Sequence, residues 1–270
     1  MKKDIKKSKN LKNNEVLTNK VFHWIKLYLN KYIAVILFIC LWELLSIIGF
    51  FDPDFISSPT TVIINFIYLI FQSSFIEDIF YTFARVSIGI GLALLISIPL
   101  GFILGGFFKK IENSLNPMFR ILEQFNPLTL FHLLILITLI NELSTILVIY
   151  WAAQWPLLNN TISGAKSVNP TYIKIAKAAT YNKFDIFWKI QLRSSLPNIF
   201  TGLRLSILFG FLIAFGVEMM GMTTGRGLGY FIITSQMHGS IPHVWVGIVT
   251  MTLLSLAMTI GLNKIEQHVT

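Results

Sequence analysis

Long apolar stretches, separated by short charged segments, organise this chain of 270 residues. Each stretch is close to the ~20 residues that a helix needs to cross a bilayer. The stretches lie at about 33–51, 82–107, 117–140, 145–163, 201–220 and 244–262. Two shorter apolar segments, 60–71 and 228–237, predict helices that are too short to span. The pattern therefore predicts an all-α integral membrane protein with six transmembrane helices.

The composition agrees with this class. Hydrophobic residues make up 54% of the chain and charged residues 13%, which excludes an ordinary soluble domain. We divide the chain into residues 1–31, a Lys-rich disordered tail with an interfacial helix, residues 32–264, the membrane domain, and residues 265–270, a short tail. A signal peptide is not expected, because no short apolar core with a cleavage site follows the first tail.

The formal net charge of +9 follows from membrane topology rather than from a nucleic-acid site. Lys and Arg cluster in the first tail and in two loops, near 109–120 and at 164–197, whereas the other loops hold little besides Arg226. Because basic residues collect on the cytoplasmic side, both termini are predicted to be cytoplasmic. The single cysteine, Cys40, excludes a disulfide framework and a thiol-ligand metal site.

A cationic, helix-forming segment at 170–197 lies between the fourth and fifth spans. One interpretation is an interfacial helix that rests on anionic headgroups. The other is a helix that fits into a groove of a soluble partner protein, because Ala176, Ala178 and Ala179 form a turn of small residues between aromatic side chains. Composition alone gives the two interpretations similar weight.

The spacing within this segment resembles the cytoplasmic EAA loop of ABC importer permeases. In register, the family's Glu falls on Lys174, its Ala pair on Ile175 and Ala176, and its Gly on Thr180; the Glu, one Ala and the Gly therefore differ here. The resemblance implies a coupling helix, within a loop at 164–197, that docks on a separate ATP-hydrolysing subunit. The implied contact residues are Lys174, Ile175, Ala176, Lys177, Ala179, Thr180, Tyr181, Phe184 and Phe187.

The resemblance extends from about Trp42 to Leu262. The proteins that this chain resembles are the permeases of the nitrate, sulfonate, taurine and bicarbonate importer group. The outer turn at 141–144 matches that group, except that its flanking glycines are here Leu139 and Asn141. A glycine-rich outer loop, G-M-T-T-G-R-G-L-G-Y, also matches. A phosphate-binding loop is the other interpretation of this motif, but no Lys-Ser/Thr follows it. The loop glycines are Gly225, Gly227 and Gly229.

This resemblance implies a multi-pass permease subunit of an importer in a bacterial cell membrane. Two permeases, identical or homologous, would stand on two ATPase subunits among membrane lipid, and an extracytoplasmic binding protein would deliver a small solute such as a sulfonate, nitrate or bicarbonate. ATP and Mg²⁺ would bind to the partner ATPase, and no cofactor or metal to this chain. The solute itself stays open.

Four polar residues within apolar stretches are candidates for the translocation path, namely Asn126, His132, Gln154 and Glu218. A polar group inside a span is costly unless it faces protein or water. The alternative for His132 is a packing role, and the alternative for Glu218 is solvation at the membrane surface. Glu43, in the first span, is either functional or hydrogen-bonded within the helix bundle.

The sequence contains no recognisable motif for nucleotide hydrolysis, a zinc protease or a thiol-based site. The chain is therefore predicted to be a transport subunit and not an enzyme. The alternative function is a stand-alone transporter driven by an ion gradient. That class is typically marked by an internal repeat and paired intramembrane charges, and neither is evident in the sequence.

Overall fold

The computed structural model describes residues 33–52, 54–221 and 223–269, and all the regular secondary structure in these ranges is helical. The described residues divide into two compact units, one up to residue 64 and one from residue 65 onward. The predicted interfacial helix at 21–31 lies outside the described residues.

Helix α1 spans Ile33–Ile47 and lies in the first unit. Helix α2 spans Pro59–Ile70, and its first residues belong to this unit. The carboxylate of Glu43 on α1 accepts two hydrogen bonds from Thr60, one from its backbone N–H at 3.0 Å and one from its hydroxyl at 2.8 Å. Backbone N–H groups in the first turn of a helix have no partner within that helix. Glu43 therefore caps α2, which agrees with the hydrogen-bonded alternative.

The second unit holds nine further α-helices among the described residues. They are α3 Ser73–Phe102, α4 Lys109–Glu123, α5 Pro127–Thr138, α6 Asn141–Ser167, α7 Pro170–Ala178, α8 Lys183–Ile186, α9 Arg193–Met219, α10 Leu228–Met237 and α11 Ile241–Val269. Two π-helical segments, Ile103–Phe107 and Phe187–Leu192, follow α3 and precede α9. The predicted half-length helix at 228–237 is confirmed as α10.

Helices α3, α6 and α9 pack closely because glycines line their contacts. A Cβ built on Gly101 of α3 would lie 2.6 Å from Thr161 Cγ2 of α6, and one on Gly105 would lie 2.7 Å from the carbonyl oxygen of Ile162. A Cβ on Gly202 of α9 would lie 2.8 Å from Asn160 Cβ of α6. Small residues at such positions let helices approach each other in a membrane. The G-x-x-x-G at 101–105 therefore serves packing within the chain.

Two predicted spans differ from the helices of the structure. Helix α3 begins at Ser73, ahead of the span predicted from about 82, and its first turns include the polar residues Glu77 and Asp78. The third stretch is not one helix: α4 and α5 meet at an angle of 87°. Pro127 opens α5 and the Asn126 side chain caps it, so the chain restarts a helix at this point.

Among the described residues, three helices are long and apolar enough to cross a membrane, namely Ser73–Gly106, Phe184–Met219 and Ile241–Val269. The bent pair α4–α5 would be a fourth if it counts as one span. Helix α6 has 27 residues but carries Gln154, Asn159 and Asn160, which lower its hydropathy. The fold is thus that of an all-α, multi-pass membrane protein, and the number six for its spans remains a prediction. The proposed tail at 265–270 is helical as far as Val269, the last described residue.

Candidate functional site

Helix α7 is a short helix in the connection between the long helices α6 and α9. The Asn169 side chain accepts a hydrogen bond of 2.9 Å from the Thr171 N–H, and Pro170 occupies the first helical position, so both residues favour a helix start here. The helix ends where Thr180 adopts a left-handed backbone with φ of 59°. This is the position onto which the family's glycine falls.

Most residues of the predicted coupling segment form one exposed surface, which we call the α7–α8 surface. Ile175 is 60% exposed and Phe184 72% exposed. Exposed apolar side chains of this size next to lysines are typical of both protein and membrane interaction sites, so the exposure fits both interpretations of this segment. The surface comprises Tyr172, Lys174, Ile175, Lys177, Ala179, Thr180, Tyr181, Phe184 and Trp188.

Two residues of the predicted contact set lie elsewhere. Ala176 is buried within the chain at 3% exposure. The ring of Phe187 packs edge-on against the ring of Phe102, at 5.1 Å between centroids. Phe187 therefore joins the segment after α8 to the end of α3, and Ala176 contributes to the internal packing of α7.

A buried ion pair lies at the opposite end of α6 from α7. Arg85 Nη1 donates to Glu218 Oε1 at 2.8 Å, and the exposed fractions of the two side chains are 2% and 0%. Arg85 also binds Glu142 at the start of α6, with 2.8 Å between Nε and Oε2. Buried charges need such partners because the loss of hydration is costly.

This ion pair belongs to a larger group that holds the glycine-rich loop. The backbone N–H of Gly227 donates to Asp78 at 2.8 Å and that of Leu228 donates to Thr82 at 2.8 Å. The N–H of Gly229 donates to Glu218 at 2.9 Å. Side-chain oxygens thus satisfy the free N–H groups at the start of α10. The glycine-loop cluster is Asp78, Thr82, Arg85, Glu142 and Glu218.

The loop glycines fit this cluster for different reasons. Gly227 has φ of 118°, and a Cβ there would lie 2.5 Å from Glu218 Cδ. A Cβ on Gly229 would lie 2.7 Å from Glu218 Cβ. Gly225 has φ of 75°, and a Cβ there would lie 3.8 Å from the Tyr230 ring, which is an ordinary contact, so its backbone conformation is the reason for glycine. The loop lies against α3 and α9 because these glycines have no side chains.

The structure does not gather the four predicted path residues at one site. Asn126 is exposed and caps α5, since its Oδ1 accepts from the Leu128 N–H at 2.9 Å. His132, one turn further along α5, is exposed, and its Nδ1 lies 3.2 Å from the Leu128 carbonyl. Gln154 is half-buried in α6. Glu218 is buried in the glycine-loop cluster, so it is not solvated at the membrane surface.

Sequence reasoning missed Asp78, Thr82, Arg85 and Glu142 as parts of one site. The first three are four and three residues apart on α3, which places them on one face of the helix. That spacing of polar residues in an apolar helix was the available signal. Among the described residues, no group of three or more His, Cys, Asp or Glu side chains is arranged to hold a metal ion.

Comparison with known proteins identifies the family. Residues 97–270, more than half of the chain, match the model described as the binding-protein-dependent transport system inner membrane component. The chain belongs to this family. It is therefore a permease of the ABC importer type, a transport protein of the membrane.

Relatives within this family span most of the chain. The bicarbonate transport system permease protein CmpB of Synechocystis sp. is 27% identical over 238 residues, which are 85% of this chain and 84% of that protein. The taurine transport system permease protein TauC of Escherichia coli is 24% identical over 234 residues, 85% of this chain and 84% of that protein. The permease therefore resembles relatives from importers of different solutes.

A solved structure has the same fold. A chain of the MetNI methionine ABC transporter, in an inward-facing conformation, aligns with a TM-score of 0.59 and 16% sequence identity. The alignment covers 72% of this permease and 95% of that chain. The all-α permease fold is thus shared with that transporter.

Proposed function

We propose that this permease forms the translocation path of an importer that is driven by two separate ATPase subunits. The ATPase subunits bind the α7–α8 surfaces of the permeases. The observation that carries the proposal is the combination of family membership with a helix turn that exposes apolar and cationic side chains. A soluble partner would cover these side chains, as large apolar anchors usually dominate binding energy.

The fold provides a structural connection through which a displacement of this surface could reach the membrane helices. The α7–α8 surface is continuous with α6 on one side and α9 on the other. The contact of Phe187 with Phe102 adds α3. Since glycines hold α3, α6 and α9 in close contact, a displacement of α7 would tilt them together. In this mechanism the permease is the two-state element whose balance the nucleotide state of the ATPase shifts.

The proposed orientation places both termini and α7 in the cytoplasm and the glycine-loop cluster outside. A second permease, identical or homologous, completes the path, and an extracytoplasmic binding protein delivers the solute. The solute is a sulfonate, nitrate, bicarbonate or a related small metabolite. Asn126, His132, Gln154 and Glu218 are the proposed polar residues of the path.

Co-purification with the ATPase tests this proposal. We expect the double variant Ile175→Ala, Phe184→Ala to lose the ATPase subunit in detergent, because each exposed anchor typically contributes about 2 kcal/mol or more. The matched control is Phe209→Ala, an exposed aromatic on the apolar part of α9 at 41% exposure, which should retain the ATPase.

Two results would contradict the proposal. One is undiminished retention of the ATPase by the double variant. The other is uptake by the chain alone that requires a proton or sodium gradient, which would support the stand-alone transporter instead.

A further inference from the structure

The α7–α8 surface lies beyond the lipid bilayer. It leads into one continuous helix, Phe184–Met219, whose apolar part follows Arg204. Arg204 forms an ion pair with Glu266 of α11, and its Nε donates to Asn263 Oδ1 at 2.8 Å. Charges are costly inside the hydrocarbon layer, so this ion pair lies at its edge. Phe184 precedes Arg204 by 20 positions, or about 30 Å of helix, whereas a headgroup layer is only about 5–8 Å thick. Lipid headgroups therefore do not cover this surface.

Two lysines of this surface have no anionic partner within the described part of the chain. Lys174 and Lys177 are exposed, and neither side chain takes part in an ion pair among those residues. Lys189, by contrast, binds Asp185 at 2.8 Å between Nζ and Oδ1, and its ammonium lies 5.1 Å from the centre of the Tyr181 ring. Asp185 is the one acidic residue between positions 170 and 189. The charges of Lys174 and Lys177 are therefore left for a partner to neutralise when it covers them.

These two charges and the apolar anchors lie on different sides of α7. At 3.6 residues per turn, Lys174 and Lys177 fall on one side of the exposed face, and Tyr172 and Ile175 fall on the other. Ala178 is exposed and lies between the two sides, so a partner can approach the helix backbone there. Helix α7 thus presents a cationic edge and an apolar edge to a single groove.

We infer that the ATPase surface that receives α7 is acidic, with Asp or Glu carboxylates opposite Lys174 and Lys177 and an apolar pocket for Ile175. The inference rests on the proposed function and names the chemistry of the partner at the same surface. Lys174 occupies the position onto which the family's Glu falls. A groove that pairs with a carboxylate at this position repels an ammonium group. The surface of this permease therefore selects against ATPases that serve family members with Glu.

Carbodiimide cross-linking identifies the groups that face the two lysines. The reagent joins an amine to a carboxylate without a spacer, so it links only groups in contact. The sample is the full-length permease with the ATPase subunit that co-purifies with it from native membranes. We expect peptide mass spectrometry to find amide bonds from Lys174 or Lys177 to Asp or Glu residues of the ATPase. Lys110 on α4 is also exposed and is the control, which should give no such link.

Charge reversal measures how much this pairing contributes to attachment. We expect the double variant Lys174→Glu, Lys177→Glu to lower the amount of retained ATPase about tenfold, because each position then meets a like charge. Lys110→Glu makes the same change away from this surface and should retain the ATPase. Retention by the unaltered permease should fall between about 50 and 500 mM NaCl, and the double variant Lys174→Gln, Lys177→Gln should weaken this dependence on salt.

The outcomes separate an acidic partner surface from the importer proposal. If the charge-reversed permease retains the ATPase and the carbodiimide gives no link, while a lysine-to-lysine cross-linker still joins α7 to the ATPase, only the acidic surface is wrong. If phosphatidylglycerol vesicles without ATPase protect Lys174 and Lys177 from acetylation as fully as the ATPase does, the lysines face lipid and the inference fails. If the unaltered permease retains no ATPase, both proposals fail.

Discussion

At the scale of single residues, two non-glycine positions take a backbone conformation that favours glycine. Thr180 has φ of 59° and Leu139 has φ of 55°. Both positions correspond to glycines of the importer group that the sequence resembles. A β-branched residue in this region is especially strained, and left-handed backbone costs roughly 1–2 kcal/mol for residues other than glycine. The fold thus keeps the family's turn geometry after the glycines are lost.

Restoring glycine should relieve this strain. We expect Thr180→Gly to raise the free energy of unfolding by up to ~1 kcal/mol, since the relief is partly offset by the greater freedom of glycine in the unfolded chain. The measurement is the thermal unfolding midpoint in detergent. The matched control is Thr171→Gly inside α7, which should lower that midpoint, because glycine is unfavourable in a helix. A lower midpoint for Thr180→Gly would show that the Thr180 side chain is needed at this turn.

At the scale of elements, contact between α3 and α6 depends on positions without side chains. Gly89, Gly101 and Gly105 face α6, whereas a Cβ on Gly91 would meet nothing within 4 Å. The same helix therefore offers both a packed and an open glycine. Substitutions at a packed and at the open glycine can therefore be compared. The comparison separates the free energy of close helix packing from the helix propensity of glycine.

Valine at these two positions should give opposite results. In Gly101→Val the new side chain would force α3 and α6 apart, and overpacking of this kind typically costs about 1–3 kcal/mol. Gly91→Val should be tolerated. Thermal unfolding of the two variants measures the difference. Equal midpoints would mean that α3 and α6 separate at little cost.

The sequence predicted elements well where a local pattern was sufficient. Helix α10 was predicted because a glycine loop and an apolar run define its start and length. The angle between α4 and α5 was missed, because Asn126-Pro127 lies within a stretch whose overall hydropathy suggests one span. The start of α3 was missed because Glu77 and Asp78 suggest an outer loop. Asp78 lies in the helix and is buried against Gly227.

The candidate site was predictable only in part, for the same reason. The coupling segment and the loop glycines have local motifs. The partners of Arg85 do not: Glu142 and Glu218 are 57 and 133 residues away along the chain. One sequence shows that a charge in a span needs a partner, but not which distant residue provides it.

At the scale of the whole 65–270 unit, the two candidate regions lie at opposite ends of α6. The α7–α8 surface follows its last residue, and Glu142 of the glycine-loop cluster lies in its first turn. Helix α9 repeats this arrangement, since it begins after the α7–α8 surface and ends at the buried Glu218. The two regions are therefore linked by helices rather than by loops, so variants of one region can be separated from variants of the other.

Gly227→Val should separate transport from attachment of the ATPase. The new side chain would collide with Glu218 and Arg85, so we expect uptake to fall about tenfold or more, while the ATPase remains bound. Uptake and co-purification are measured on the same membranes. Gly221→Val is the control, because Gly221 also has a positive φ, of 68°, but nothing within 4 Å of its Cβ. Normal uptake in Gly227→Val would show that this loop is not coupled to transport.

The length of α6 sets how the glycine-loop cluster responds to motion. A helix of 27 residues is about 40 Å long, so a tilt of roughly 10° about its midpoint would move each end by ~3.5 Å. Such a displacement exceeds the length of the bond between Arg85 and Glu142. That bond would break if α6 tilted relative to α3, and it would stay intact if the two helices tilted as one body. A fluorescent label in the loop beside Thr224, whose hydroxyl donates to the same carboxylate, would distinguish these two motions of α6.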